Sequence, residues 1–123
     1  MGLGAPSVFF RAAVIYGLLG LVLGLHMAAT QNHGQMVTHA HLMLIGWVTM
    51  FLYGVYLKLH PTGGWLPTVL WGIANVGLVV TVFGLYIIYG GRPATGEPFA
   101  TVGSFIVFAG LGLFAFMVWR TRS

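Results

Sequence analysis

Charged side chains are spaced so widely along this sequence that a water-soluble fold is excluded. Residues 12–57, 59–91 and 98–119 contain no Asp, Glu, Lys or Arg. A helix needs about 20 apolar residues to cross the hydrocarbon core of a bilayer, so the first stretch accommodates two crossings and the others one each. Charged residues make up 5% of the chain and apolar residues 59%, whereas a soluble protein has about 25% charged residues. We therefore predict an all-α integral membrane protein with four helices.

Proline, glycine and polar residues divide these stretches into segments. We predict one transmembrane domain spanning residues 1–123, with helices at about 8–30, 38–59, 66–89 and 98–119. Thr38 is the expected N-cap of the second helix, and Pro98 suits the first turn of the fourth. The loops are short, so neighbouring helices should run antiparallel as an up-down-up-down four-helix bundle.

The basic residues predict how the bundle is oriented. One side of the membrane receives Arg11, Lys58, Arg120 and Arg122, and the other receives Arg92 and Glu97. The positive-inside rule then predicts a multi-pass protein of the cytoplasmic (inner) membrane with both termini in the cytoplasm. The basic residues form no patch, so no nucleic-acid partner is expected. The absence of cysteine excludes disulfides, Cys-ligated metals and c-type haem attachment.

Glycines recur at helical spacing inside the predicted helices. They form the sets Gly17, Gly20 and Gly24; Gly77 and Gly84; and Gly103 and Gly110. Such residues allow close helix packing, or they leave room for a flat cofactor. Gly46 favours the second interpretation, since it lies two α-helical turns from His39 on the expected same face.

Four histidines lie near the predicted outer surface, namely His26, His33, His39 and His41, while His60 lies at the inner one. His39 and His41 point about 200° apart on a helix, so only one of them faces a given partner. His26 lies within several Å of the depth of His39, so imidazoles from two helices could share a metal ion or ligate one haem iron.

Three kinds of metal centre could use these histidines: zinc, copper and the iron of haem b. A zinc site would have few acidic ligands and no cysteine ligand here, because Glu97 is the only acid and the chain has no cysteine. Copper suits imidazole and thioether, and Met27, Met36 and Met43 are interspersed. Haem b needs two axial imidazoles, an apolar slot for which Gly46, Trp47 and Phe51 are available, and a basic group such as Arg92 for its propionates.

Two segments carry a family resemblance. FFRAAVIYGLLGLVLGLHMAATQ (residues 9–31) and THAHLMLIGWVTMFLYGVYLKLHP (residues 38–61) resemble the first two transmembrane helices of haem–copper oxidase subunit I. The H-A-H-L-x-L-x-G-W signature is similar to that of its small stand-alone relatives. The resemblance covers less than half of the chain. It implies that His39 matches the histidine that ligates the low-spin haem, and Met43 stands where the relatives have a polar Asn.

The resemblance also implies limits. A full oxidase has about twelve helices, a histidine triad on copper and acidic proton-channel residues, which this chain lacks. We therefore expect a b-type haem protein for electron transfer or redox sensing, and not an oxygen-reducing enzyme. The second axial ligand is expected from His26, His41 or His33, or from a second copy in a homodimer or larger homo-oligomer. A quinone or a cytochrome is the expected redox partner. The alternatives are a copper-binding or copper-handling membrane protein and a structural accessory subunit of a respiratory complex.

Overall fold

The computed structural model describes residues 4–121, and in this range it contains four long helices and no strand. They are α1 (Ala5–Thr30), α2 (Met36–Leu59), α3 (Leu66–Tyr89) and α4 (Pro93–Arg120). Each is long and apolar enough to cross a membrane. The all-α, four-helix transmembrane fold predicted from charge spacing is confirmed. Arg122, one of the residues used to orient the bundle, lies outside the described residues.

Three helices start earlier than predicted, and the first of them, α1, begins at Ala5 and not near residue 8. Helix α4 begins at Pro93 and carries Pro98 in its interior. The missing N–H of Pro93 costs nothing in a first turn, whereas Pro98 removes the hydrogen bond that a residue there would donate to the carbonyl of Ala94. Thr38 is not an N-cap. Helix α2 begins at Met36, and the buried Thr38 hydroxyl donates to Oε1 of Gln35 at 2.6 Å.

Helix α2 is not α-helical throughout. Met36–His41 and Met50–Leu59 are α-helical, and Leu42–Thr49 between them is π-helical. The Thr49 hydroxyl donates to the carbonyl of Leu44, five residues earlier, at 2.7 Å. The i→i+5 bonding of a π-helix puts more residues into each turn than an α-helix has. The two ends of α2 are therefore rotated relative to the positions that a regular helix would give them.

Helices α3 and α4 pack backbone against backbone. A Cβ atom added at Gly84 would collide with the backbone of Ala100, and one added at Gly103 would collide with Thr81. Small residues at such contacts let membrane helices approach closely, and van der Waals contact then stabilises the pair. Gly77, Gly84 and Gly103 therefore serve close helix packing, as the first interpretation of their spacing predicts.

Helices α1 and α2 form the second close pair. The face of α1 that carries Gly17, Gly20 and Gly24 packs against side chains of α2. A Cβ atom at Gly17 would lie 3.3 Å from the Trp47 ring, and one at Gly20 would lie 2.5 Å from Sδ of Met43. No porphyrin fits between α1 and α2 here, because side chains of α2 fill the space that these glycines leave.

The α1–α2 pair and the α3–α4 pair contact each other mainly in the half of the bundle that holds both ends of the described chain. The buried cluster there consists of Phe9, Ala13, Met50, Tyr53, Leu57, Leu66, Leu70, Ala74 and Met117. Nearer the middle of the membrane, the Tyr16 hydroxyl donates to Oδ1 of Asn75 at 2.5 Å and ties α1 to α3. This hydrogen bond satisfies two polar groups that are costly to leave unpaired in an apolar environment.

Large apolar side chains cover the outside of the bundle. Phe105 is 71% exposed, Phe108 is 75% exposed and Trp119 is 87% exposed. Such a surface is unfavourable in water and favourable against lipid tails. The exposed side chains and the four long apolar helices agree with a bilayer environment.

Candidate functional site

One end of the bundle gathers most of the histidines, and we call it the histidine end. It comprises residues 31–35 between α1 and α2, residues 90–92 between α3 and α4, and the adjoining helix turns. The Nε2 amide of Gln35 donates to the carbonyl of Tyr86 at 3.1 Å, which ties the connection between α1 and α2 to the last turn of α3. His26, His33, His39, His41 and Arg92 therefore share this end, and His60 lies at the other.

His39 is held between two helices. Its Nδ1 lies 2.7 Å from the carbonyl oxygen of Gly20 on α1. The ring also lies over Gly24, where an added Cβ atom would be 2.9 Å from Cε1 of His39. Only glycine at this position of α1 lets an imidazole from α2 approach so closely. The contact fixes the ring orientation of a partly buried histidine.

The Gly20 contact also decides which nitrogen of His39 is free. A carbonyl oxygen only accepts, so Nδ1 carries the proton and Nε2 of the neutral ring keeps its lone pair. None of the hydrogen bonds found in residues 4–121 uses Nε2. Histidines that bind a metal commonly donate the other ring N–H to a carbonyl or carboxylate, which fixes the tautomer. His39 has this arrangement.

His41 makes a similar bond within its own helix. Its Nδ1 lies 2.8 Å from the carbonyl of Val37, four residues earlier. His41 is also partly buried, and its Nε2 is left free in the same way. The difference is that the hydrogen bond found for its ring within residues 4–121 stays inside α2, whereas that of His39 reaches α1. His39 and His41 are both chemically able to bind a metal, but only His39 is fixed between helices.

His26 and His33 are both exposed. His26 lies in the last two turns of α1, on the face that also carries Leu19 and Leu23, because residues three and seven apart share a face. His33 lies in the connection between α1 and α2, where its backbone carbonyl accepts from the N–H of Met36 at 3.2 Å. His26 is therefore on a rigid element and His33 is not.

Gly46 and Trp47 are packed against side chains of α1 and α3 or of α2 itself, and they leave no open slot. A Cβ atom at Gly46 would lie 2.7 Å from Cβ of Tyr16 and 3.1 Å from Leu78. The room expected beside Gly46 is thus filled by these two side chains. Trp47 packs on Gly17, and its ring centre lies 5.2 Å from that of Phe51, with the two rings tilted by 50°.

An apolar groove of about 400 Å³ runs along α1, α2 and α3 in the histidine half of the membrane. It is open to the lipid, since Leu19 and Phe83 on its walls are about half exposed. His26 lies beyond Leu23 on the α1 wall, towards the histidine end. The residues that line the groove are Tyr16, Leu19, Leu23, Thr38, Leu42, Leu78, Val79, Val82, Phe83 and Tyr86.

Arg92 precedes the first turn of α4 and is exposed. It lies at the same end of the bundle as the four histidines, as the sequence predicts. Glu97, the only acidic side chain of the chain, is also exposed and lies little more than one turn into α4. The histidine end therefore carries one basic and one acidic group next to its imidazoles.

Within residues 4–121, no group of three or more His, Asp or Glu side chains is placed to hold one metal ion. A zinc or copper centre with three imidazoles is thus not assembled from one described chain, whereas axial haem ligation requires only two.

The sequence did not predict the contacts of His39 with α1, in which Gly20 supplies the acceptor carbonyl and Gly24 leaves room for the ring. Every residue has a backbone carbonyl, so the sequence does not indicate which carbonyl accepts a hydrogen bond. The only available signal was the glycine face of α1, which indicates a close approach of another helix.

Comparison with protein-family models, with curated proteins and with solved structures found no match for this chain.

Proposed function

We propose that this chain is a membrane b-type haem protein that transfers electrons or senses redox state. The observation that carries the proposal is the 2.7 Å contact between Nδ1 of His39 and the carbonyl of Gly20. It presents an imidazole in a fixed orientation, with Nδ1 bonded to the carbonyl and Nε2 without a hydrogen bond in residues 4–121. This histidine is also the one that the resemblance to oxidase subunit I matches with a haem ligand.

His39 and His26 are the proposed axial ligands, with His41 and then His33 as the next candidates. The walls of the groove along α1, α2 and α3 would exclude water from one face of the cofactor, and Arg92 would neutralise its propionates. Bound haem would supply a one-electron redox couple, whose potential depends on the axial ligands and on burial. The close packing of α1 and α2 favours a haem at the open side of the groove, with a second copy of the chain covering it as a homodimer or larger homo-oligomer.

Electron transfer is favoured over oxygen reduction with proton pumping. The only acidic side chain, Glu97, lies at the histidine end, so no carboxylate stands within the membrane to relay protons. The uncharged groove favours a redox partner that approaches through the lipid, such as a quinone, or one that docks at the histidine end, such as a cytochrome. We place the protein in the cytoplasmic membrane, with the histidine end outside, because the other end carries more basic residues.

A copper-binding function is the second candidate, and one contact favours it. Met43 and His39 lie one turn apart on α2, and both contact Gly20 of α1. A thioether and an imidazole this close together suit cuprous copper. The free Nε2 of His39 serves either metal, so the two proposals differ in whether porphyrin is present.

The test is the absorption spectrum of the protein purified in mild detergent, together with its pyridine haemochrome and its copper content. We expect about one haem b per one or two chains and a low-spin spectrum in the oxidised state. His39→Ala should lose the haem or become high-spin. Copper without porphyrin would support the second candidate, and neither cofactor would leave a structural accessory subunit as the remaining function.

The matched control is His41→Ala, which removes another partly buried imidazole, two residues away on the same helix. It should change the spectrum less than His39→Ala, because its ring bonds a carbonyl of its own helix and not one of α1. A folded His39→Ala protein with an unaltered low-spin spectrum would refute the assignment of His39.

A further inference from the structure

A polar cavity of about 450 Å³ opens at the end of the bundle opposite the histidines. We call this the terminal end, since α1 begins there and α4 finishes there. The cavity lies between the connection of α2 to α3 and the last turn of α4. Its polar lining comes from His60, Thr62, Arg120 and Thr121.

Aromatic stacking and hydroxyl bonds give this cavity fixed walls. The Tyr56 ring lies 4.9 Å from the ring of His60, and its hydroxyl bonds the hydroxyl of Thr121. The Thr62 hydroxyl donates to the carbonyl of His60 at 3.1 Å, and that of Thr121 to the carbonyl of Met117 at 2.8 Å. Two carbonyls at the helix ends are thereby covered, and among the side chains of the lining the Arg120 guanidinium and the His60 ring are available to donate to a ligand.

No acidic side chain can neutralise Arg120. Glu97 is the only one in the chain, and it precedes Arg120 on the same helix by a rise of about 35 Å. Arg11 and Lys58 lie at the terminal end as well, so its side chains carry only positive charge. A cavity with this charge is complementary to an anion.

Apolar side chains flank the cavity on the lipid side. Leu59 is 69% exposed and Phe116 is 55% exposed, and the guanidinium carbon of Arg120 lies 5.6 Å from the centre of the Phe116 ring. The exposed Trp119 next to Arg120 is typical of a residue at the membrane–water interface. A ligand that fits both the cavity and its surroundings combines an anionic head group with acyl chains.

We propose that this cavity binds the phosphate head group of an anionic phospholipid, through the Arg120 guanidinium and the His60 ring. The acyl chains would lie along Leu59 and Phe116. The site is independent of the haem proposal, because it lies at the opposite membrane surface and uses none of the proposed haem ligands.

Native mass spectrometry of the detergent-solubilised chain tests this site, with phosphatidylglycerol and phosphatidylcholine as competing lipids. The wild-type chain should retain phosphatidylglycerol preferentially, with one site much tighter than the rest. Arg120→Gln should weaken that site about fivefold, the expected contribution of one basic residue at a charged surface. His60→Gln should weaken it as well, and circular dichroism should show that both variants keep their helices.

Lys58→Gln is the matched control, since it removes one charge at the same end from an exposed residue that does not line the cavity. It should leave the tight site nearly unchanged. The proposal is overturned if the two lipids bind equally, or if Lys58→Gln weakens binding as much as Arg120→Gln. Displacement of the lipid by millimolar inorganic phosphate would also overturn it, because the site would then take a soluble anion.

Discussion

At the scale of single residues, His39 and His41 show how position decides the use of the same chemical group. Both donate Nδ1–H to a backbone carbonyl at nearly the same distance, 2.7 Å for His39 and 2.8 Å for His41. The carbonyl on His39 belongs to another helix, so its ring is fixed relative to α1. The carbonyl on His41 belongs to its own helix, so this bond does not fix the ring relative to α1. The first arrangement favours metal binding, because the orientation of the ligand is set before the metal binds.

The second axial ligand gives the sharpest prediction at this scale. His26→Ala should lose haem or convert it to high spin, as His39→Ala does, because His26 stands on a rigid helix beside the apolar groove. His41→Ala should have a milder effect, and His33→Ala the mildest, because His33 lies in a connection between helices. Absorption and electron paramagnetic resonance spectra of the four variants make the comparison. An unaltered His26→Ala spectrum would assign the position to His41, His33 or a partner chain.

His60 should have no part in haem binding. It lies at the terminal end, roughly 30 Å by helix rise from His39 on the same helix. His60→Ala is therefore expected to keep the haem stoichiometry of the wild type while weakening phospholipid retention. If the absorption band disappeared from a folded His60→Ala protein, the location of the haem at the histidine end would be wrong.

Sequence alone predicted which residues could serve as ligands but not their contacts. The spacing of His39 and His41 predicted that they face different directions, and the charge distribution placed Arg92 at their end of the bundle. The acceptor for His39 could not be predicted, because any carbonyl of α1 was available. The role of Gly46 could not be predicted either, because it depends on how α2 winds between His39 and Met50.

At the scale of helices, the π-helical segment of α2 is the main departure from regular structure. It begins directly after His41 and ends directly before the buried Met50. It therefore separates the part of α2 that holds the candidate ligands from the part that packs into the core. Irregular turns of this kind occur frequently at functional sites. No local pattern in LMLIGWVT distinguishes it from an α-helix, so the sequence did not predict it.

Glycine in α3 allows a direct test of helix packing. Gly84→Ala would place a methyl group against the backbone of Ala100, which can give way only if α4 moves. We expect a loss of about 1–3 kcal/mol in the free energy of unfolding, the usual cost of overpacking. Unfolding in mixed detergent and dodecyl sulfate micelles, followed by tryptophan fluorescence, measures this loss.

The matched control is Gly72→Ala in the same helix, where nothing lies within 4 Å of the added methyl group. It should be neutral or slightly stabilising, because alanine favours helix over glycine. Equal destabilisation by the two substitutions would mean that the close contact between α3 and α4 does not contribute to stability.

At the scale of the whole molecule, the bundle has two chemically distinct ends. The histidine end carries four imidazoles, one basic and one acidic group, and the terminal end carries Arg11, Lys58, Arg120 and one imidazole. The number of crossings followed from the charge-free stretches alone, because length and apolarity decide what spans a bilayer. The short connections predicted antiparallel neighbours, but they did not predict that α1 pairs closely with α2 and α3 with α4, because α2 and α3 are joined by a short connection too. The concentration of the core near the terminal end could not be predicted, since apolar residues are equally abundant throughout every helix.

The orientation of these two ends is predicted by charge and can be measured. Basic residues next to membrane-spanning helices are retained in the cytoplasm, so the terminal end should face inward and the histidine end outward. The chain has no cysteine, which allows single cysteines to be introduced without background. Thr95→Cys, exposed near the start of α4, should react with a membrane-impermeant maleimide in intact cells. Gly63→Cys, exposed between α2 and α3 with open space around it, should react only after the membrane is permeabilised. Labelling of Gly63→Cys from outside, with Thr95→Cys protected, would reverse the orientation and place the proposed haem site on the cytoplasmic side.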